Sequence, residues 1–480
     1  MIEEQGQEAT RNEPEINNER DNDDEISSSL ASCPFSKTFP RYRIDLTSSR
    51  KNRKNNQQKV EGLWSLLPIP SIELPSLELP SPPWKEAMQR DEVERAVRKR
   101  QKRKTGTDRG DLEISIEPDI DGVEAFSFLW EQSARLMGVQ GPTSPSSMII
   151  LGLPDASPPV IRNFCEIVDW MGTTMSDEAT NNNSISAAYN DFVLSAEFIK
   201  EEKLDIPTIR LEKIPLPSGL SSSLLQKEIV DIPSASAENI INERTRMWVK
   251  RILVEQGICP FTKSDRMSGQ GLLDLGVPVG SIAYHASFER NLIGLFADTW
   301  KAIDEMIKAG PQGRSGVSSI LLAAPEFDDD FDVWAGPVFA MLEAGVVAAG
   351  AESQVGVVCF HPRYATPDGK SWPGFGHMHS VPRLEKWYKE TTSESLFSGP
   401  VSECALTTEQ IAAGGAWQRR TPHATINVLR ADQLEVAESR RVSGEMYTKN
   451  IDKLVGVDGI GNEKLAIDLQ REREEGANLL

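Results

Sequence analysis

The chain has 480 residues, an apolar fraction of 39% and a formal net charge of −20. The length predicts roughly two to four domains with enough chain for real cores, and the low apolar fraction predicts that part of it stays unfolded. The charge argues against broad non-specific binding to nucleic acid or an anionic membrane, while leaving room for a local basic patch.

Residues 1–26 carry ten acidic residues and two arginines among almost wholly polar neighbours, and are expected to be disordered. Cys33-Pro-Phe-Ser-Lys37 follows, then a basic stretch from Arg41 to Lys59. The prolines of Leu67–Pro80 predict extended, polyproline-like chain. Residues 85–104 read as helical and end in Arg98-Lys-Arg-Gln-Lys-Arg-Lys104. That run fits a nuclear-localisation or phosphate-binding patch, and fits better a solvated charge run in a flexible linker.

Order is expected from about Leu112. Strands are predicted at Leu112–Ile116, Met148–Leu153, Phe192–Phe198 and Thr208–Ile214, with helices at Gly122–Met137 and from Pro158. A polar loop, Thr173–Ser186, separates that second helix from the strands. Residues 217–237 read as a linker. A helix from Glu238 to Gln256 is stopped by Gly257. Beyond it come strand Val279–Ala286, helix Leu292–Ile307, strand Ser318–Ala324, helix Asp330–Leu342 and strand Val355–Phe360. A long insertion, Ala365–Trp417, precedes strand Thr425–Leu429, helix Gly444–Leu454 and a charged tail.

The fold class expected is α/β, or α+β, with two related β-α-β-α-β domains. Their bounds are 111–216 and 238–460, after a disordered 1–110 and before a tail at 461–480. The halves echo each other. Cys33–Lys37 resembles Cys259-Pro-Phe-Thr-Lys263, Met148–Asp155 resembles Ser319–Glu326, and Val193–Phe198 sits where Val355–Phe360 sits. Pro207–Leu211 corresponds to His423–Leu429. This suggests a tandem duplication with a degenerate first copy, in which Ile199-Lys200 replaces His361-Pro362. The alternative is that generic α/β patterns look alike.

Five cysteines, Cys33, Cys165, Cys259, Cys359 and Cys404, show no CxxC or zinc spacing. They are expected to be reduced, intracellular thiols in a cytoplasmic protein, or a nuclear one through Arg98–Lys104. The acidic start carries no basic-then-apolar leader, and no apolar run approaches membrane-spanning length.

Cys259 is the sharpest chemical candidate. As N-cap of a turn opened by Pro260 it would gain thiolate stabilisation, with Lys263 and Arg266 adding to it, while the preceding helix end opposes it. A buried, inert cysteine is the plainer reading. His361 ends a strand at the edge where open α/β sheets bind ligands, and suits a base, an acid or a loop lock. Cys359, two residues earlier, shares its strand face. Arg420, before Thr421-Pro422, and Arg430 fit carboxylate or phosphate recognition, or structural ion pairs. His377 and His379 have no obvious third ligand, so no metal is assigned, and no cofactor. Asp328–Asp330 reads as an acidic helix start.

Residues 245–456 resemble an uncharacterised, mostly bacterial family known as a domain of unknown function. Its members carry a helix ending in Cys-Pro-Phe, a strand ending in Phe-His-Pro-x-Tyr and an Arg-Ser-Pro-Tyr element leading to Leu-Leu-Arg. Here these are Cys259-Pro-Phe261, Phe360-His-Pro-Arg-Tyr364, Arg420-Thr-Pro-His423 and Val428-Leu-Arg430; Asp330–Trp334 is also similar. His423 stands where the family has tyrosine, and Asn427 where it often has histidine. The family brings no established activity. Two functions stay open. One is an enzyme on a small anionic substrate, with Cys259 as nucleophile or redox thiol and His361 as proton partner. Arg420, Arg430, Lys263 and His423 would hold its substrate. The other is a non-catalytic ligand-binding or scaffold protein.

Overall fold

The structure, a computed structural model, describes residues 112–140, 146–178, 188–189, 192–199, 206–215, 235–310, 316–369, 376–396, 406–437 and 440–475. The acidic 1–26, Cys33–Lys37, the Pro-rich 67–80, the helical 85–104 with Arg98–Lys104, Lys200 and most of the 217–237 linker lie outside them, as does Cys404.

Two mixed five-stranded sheets form an α/β fold. The first holds β1 (Leu112–Ile116), β2 (Met148–Gly152), β3 (Ala188–Tyr189), β4 (Phe192–Ile199) and β5 (Thr208–Pro215), in the order β1-β2-β5-β4-β3. Its helices are α1 (Gly122–Met137) and α2 (Pro158–Glu178). Val123, Phe126, Trp130, Ala134 and Met137 recur at helical spacing on the buried face of α1. Gly138, at φ 74°, ends that helix, its N–H reaching Arg135 O at 3.2 Å. α2 runs on through the start of the predicted polar loop.

The second unit opens with α3 (Ala235–Trp248), which continues as a π-helical stretch, Val249–Glu255. β6 (Met267–Ser268), β7 (Gly280–Ala286), α4 (Leu292–Ala309), β8 (Val317–Ala323), α5 (Phe331–Ala348) and β9 (Val355–Phe360) follow. α5 contains a π-helical turn at Trp334–Val338, around Pro337. By length and composition α5 could cross a membrane, against the expectation that no apolar run approaches that length; most of it is buried in the core. The long insertion carries two helices that the pattern did not announce, α6 (Val381–Leu396) and α7 (Thr408–Trp417). β10 (Thr425–Arg430), α8 (Ala431–Ala437), α9 (Arg440–Val455) and α10 (Asn462–Glu475) complete the described chain, and the strand order is β6-β7-β8-β10-β9.

Four strands of each sheet repeat one topology, the fifth lying at opposite edges. β1 lies parallel to β2, β2 antiparallel to β5, and β5 antiparallel to β4; β7, β8, β10 and β9 pair in the same senses. Three hydrogen bonds at the strand ends also match. Leu153 N–H donates to Pro207 O (2.9 Å) as Ala324 N–H does to Ala424 O (2.7 Å). Glu117 N–H donates to Gly152 O (3.0 Å) as Ser287 N–H does to Ala323 O (2.7 Å). The Thr208 hydroxyl bonds the Ile206 carbonyl, and the Thr425 hydroxyl bonds that of His423. This register shifts one expected correspondence. Ile199 pairs with Thr208 as Phe360 pairs with Thr425, so Ile199 corresponds to Phe360, one position later than the sequence comparison put it. One residue matters, because it exchanges the two faces of a strand.

A single apolar core lies between the sheets. Phe126 meets Phe164 at 5.4 Å and Trp300 at 4.5 Å, and Trp130 meets Phe296 at 5.2 Å, so α1 and α2 close on α4 and α5. Gln140 adds a polar tie across the same boundary, donating to Asp298 Oδ1 at 2.9 Å. A second core, with Trp248, Leu321, Phe360, Tyr388, Ile451 and Leu465, fills the other face of the second sheet beneath α3, α6, α7, α9 and α10.

Candidate functional site

The C-terminal ends of β7, β8 and β9 and the start of β10 share one rim of the second sheet. Past β8 a short 3-10 turn, Pro325–Phe327, brings Asp328 over the start of β10. Asp328 is 9% exposed and fully committed. Its Oδ1 accepts Ala424 N–H at 2.7 Å, and its Oδ2 lies 2.9 Å from His423 Nδ1 and 3.0 Å from Arg473 Nη2. A carboxylate accepts, so Nδ1 of His423 carries the proton and Nε2 is left as a lone pair. Nε2 faces Arg244 Nη1 at 3.4 Å.

One guanidinium, Arg473, thus bonds the carboxylate, and a second, Arg244, stands against the histidine that the carboxylate orients. Burial pulls Arg244 below the ordinary arginine range; the like charge of Arg473 adds to this and Asp328 opposes it. Arg244 Nε is buried and has no hydrogen-bond partner among the described residues. The same holds for Trp248 Nε1, one turn further along α3, whose ring sits 5.3 Å from Phe360. Residues four apart share a helix face. Both groups are donors, and an unmet buried donor costs about 1–3 kcal/mol.

His361 lies at this rim, fully buried. Its Nδ1 accepts the N–H of Arg363 at 3.0 Å, so Nε2 carries the proton and donates to Phe327 O at 3.0 Å. Burial pulls its pKa down to about 4. The imidazole is neutral, with both nitrogens spent on backbone.

Cys259 is half-buried, with its sulfur 3.5 Å from the Thr262 hydroxyl and its N–H on Leu253 O. It shares no hydrogen bond with His361, so the structure does not join thiol to imidazole. Lys263 is exposed. Cys359 is buried in the core, and burial pushes its thiol well up. Arg420 stacks on Trp417 at 4.5 Å and donates through Nε to Tyr364 O at 3.0 Å. Arg430 lies at the opposite end of β10, donating to the carbonyls of Val317 and Met306. It is therefore not at the rim with His361 and His423. Arg419 is buried, its guanidinium on the carbonyls of Cys359, Gly376 and His377. His379 is wedged between Trp387 and Tyr447, and no metal-binding group of three or more ligands occurs among the described residues. Asp330 caps α5, accepting Val333 N–H at 3.1 Å, as its acidic run suggested.

Of the residues singled out from sequence, His423 and His361 meet at the rim. Asp328, Arg244, Trp248 and Arg473 were missed as site members. Asp328 had a usable signal, an acid just past an apolar strand; Arg473, in a charged tail, had none.

With the site in view, the segment that builds most of it can be placed. Residues 240–372 match a family described as protein of unknown function (DUF1415). The match holds Arg244, Trp248, Cys259, Asp328 and His361, and stops before His423 and Arg473. It covers the Cys-Pro-Phe and Phe-His-Pro-x-Tyr elements of the resemblance, and not the Arg-Thr-Pro element. No curated protein and no solved structure matches the chain.

Proposed function

We propose that the second unit binds a small oxyanion, a carboxylate or a phosphate, at Arg244, Arg473 and His423. The observation that carries this reading is the pair of buried, unpartnered donors, Arg244 Nε and Trp248 Nε1, on a helix whose Arg244 also faces His423, with Arg473 on the carboxylate that orients that histidine. A ligand oxygen would satisfy such donors with charge-assisted hydrogen bonds. The first unit supports it by contrast. Before β5 it makes the same turn with Ile206 where the second has His423, and past β2 its loop is two residues shorter and ends in Ser157, so the strand junction itself does not need the charged pair. We also infer that the two units are copies of one ancestor, the first now a packing partner. Relatives with an acid in the loop past β2 and a histidine at the position of Ile206 would support this; relatives with an unrelated first unit would undo it.

The Cys259–His361 catalytic reading loses its support, since His361 has no free nitrogen. The test is thermal denaturation with inorganic phosphate, acetate and malonate. At least one should raise Tm in the wild type. R244A and R473A should each weaken that ligand about tenfold or more, since a charge-assisted hydrogen bond is worth roughly 1.5–3 kcal/mol. No shift with any of the three, or equal shifts in the variants, would overturn the anion site.

A further inference from the structure

The last turn of α10 carries two adjacent residues whose bonds lead to different elements. Glu472 is 4% exposed and takes Arg251 in a two-pronged pair, Nε to Oε1 at 2.6 Å and Nη2 to Oε2 at 2.8 Å. Arg473, the next residue, reaches Asp328 at the rim. Arg251 stands in the π-helical stretch that continues α3, the helix that supplies Arg244 and Trp248. One continuous helix therefore contributes the unpartnered donors and also grips the segment that brings the second guanidinium. Leu465 and Leu469, on α10, are buried in the core beneath it.

A buried ion pair is a poor way to gain stability, because desolvation offsets most of the attraction; a well-packed apolar pair would hold α10 as firmly. What a two-pronged Arg–carboxylate pair adds is fixed geometry. We propose that Arg251 and Glu472 are a positioning pair: they set the register in which the C-terminal helix docks, so that Arg473 completes the oxyanion site. This rests on the anion reading above. It makes α10 a clasp whose release leaves Arg244 and His423 as a half-site of lower affinity.

The experiment is a double-mutant cycle on the full chain, read by calorimetric titration with whichever of phosphate, acetate or malonate the wild type binds. E472Q should weaken binding about as much as R473A, roughly tenfold, and E472Q/R473A should lose little more, because both changes remove one contribution. The charge swap R251E/E472R, which restores the pair in reverse, should recover part of the loss, whereas a merely unfolded helix would not respond. Hydrogen exchange along α10 in the absence of ligand separates misplacement from unfolding. Wild-type binding with E472Q equal to wild type, or with fully additive losses, overturns the clasp and leaves the site standing. No binding by the wild type overturns both.

Discussion

A histidine held by backbone on both nitrogens has one protonation state in the fold. His361 is in that position, and its charge state bears on stability rather than on catalysis. Unfolded, it takes a proton near pH 6.5; folded, only near pH 4. Between those values the unfolded chain binds more protons, so the contribution is complete above about 6.5 and is lost as the pH falls through 4. Its size is about 3 kcal/mol. Urea denaturation from pH 7 to pH 4 should show a shallower loss in H361Q than in the wild type; equal slopes would mean that the ring is not held neutral. The sequence put His361 correctly at a strand end, because Phe360-His-Pro follows an unbroken apolar run. Its partners were not readable. Phe327 lies 34 positions away, and His423 meets Asp328 across 95, distances at which only the folded register decides who touches whom.

At the scale of elements, periodicity carried the strands and the core helices, since each buries one face and shows it as a spacing. It failed on α6 and α7. α7 is buried on several sides, with Gly414 and Gly415 against Ile451 and Leu384, so it has no polar stripe to alternate with. Its start was nevertheless written in the chain. Thr407 and Gln410 form a reciprocal cap: the Thr407 hydroxyl accepts Gln410 N–H at 3.3 Å, and Gln410 Oε1 accepts Thr407 N–H at 2.9 Å. T407A should cost about 1 kcal/mol of global stability by chemical denaturation. No loss would mean that packing alone holds α7. The helix from Glu238 was expected as one piece and is one in path, but its second half widens to π geometry, which neither propensity nor spacing announces.

At the scale of the molecule, the mixed α/β class with two sheets was legible because the same series of patterns recurs along the chain. Their shared core was not legible. The buried faces of α1 and α4 look, in sequence, like faces meant for their own sheets. Only in three dimensions does Phe126 find Trp300. The topological repeat was visible as an echo, and strand pairing moved it by one position where short apolar runs align equally well either way.

Strand order sets a limit on any dissection of this chain. β10 lies between β8 and β9, yet it enters some fifty residues after the matched segment has ended. A peptide spanning 240–372 would keep two strands that never touch each other and lose the one that zips them together. It should melt without a cooperative transition in circular dichroism, while a sharp transition would mean that β8 and β9 can pair directly. The smallest stretch that can close this sheet is therefore larger than the stretch that matches the family.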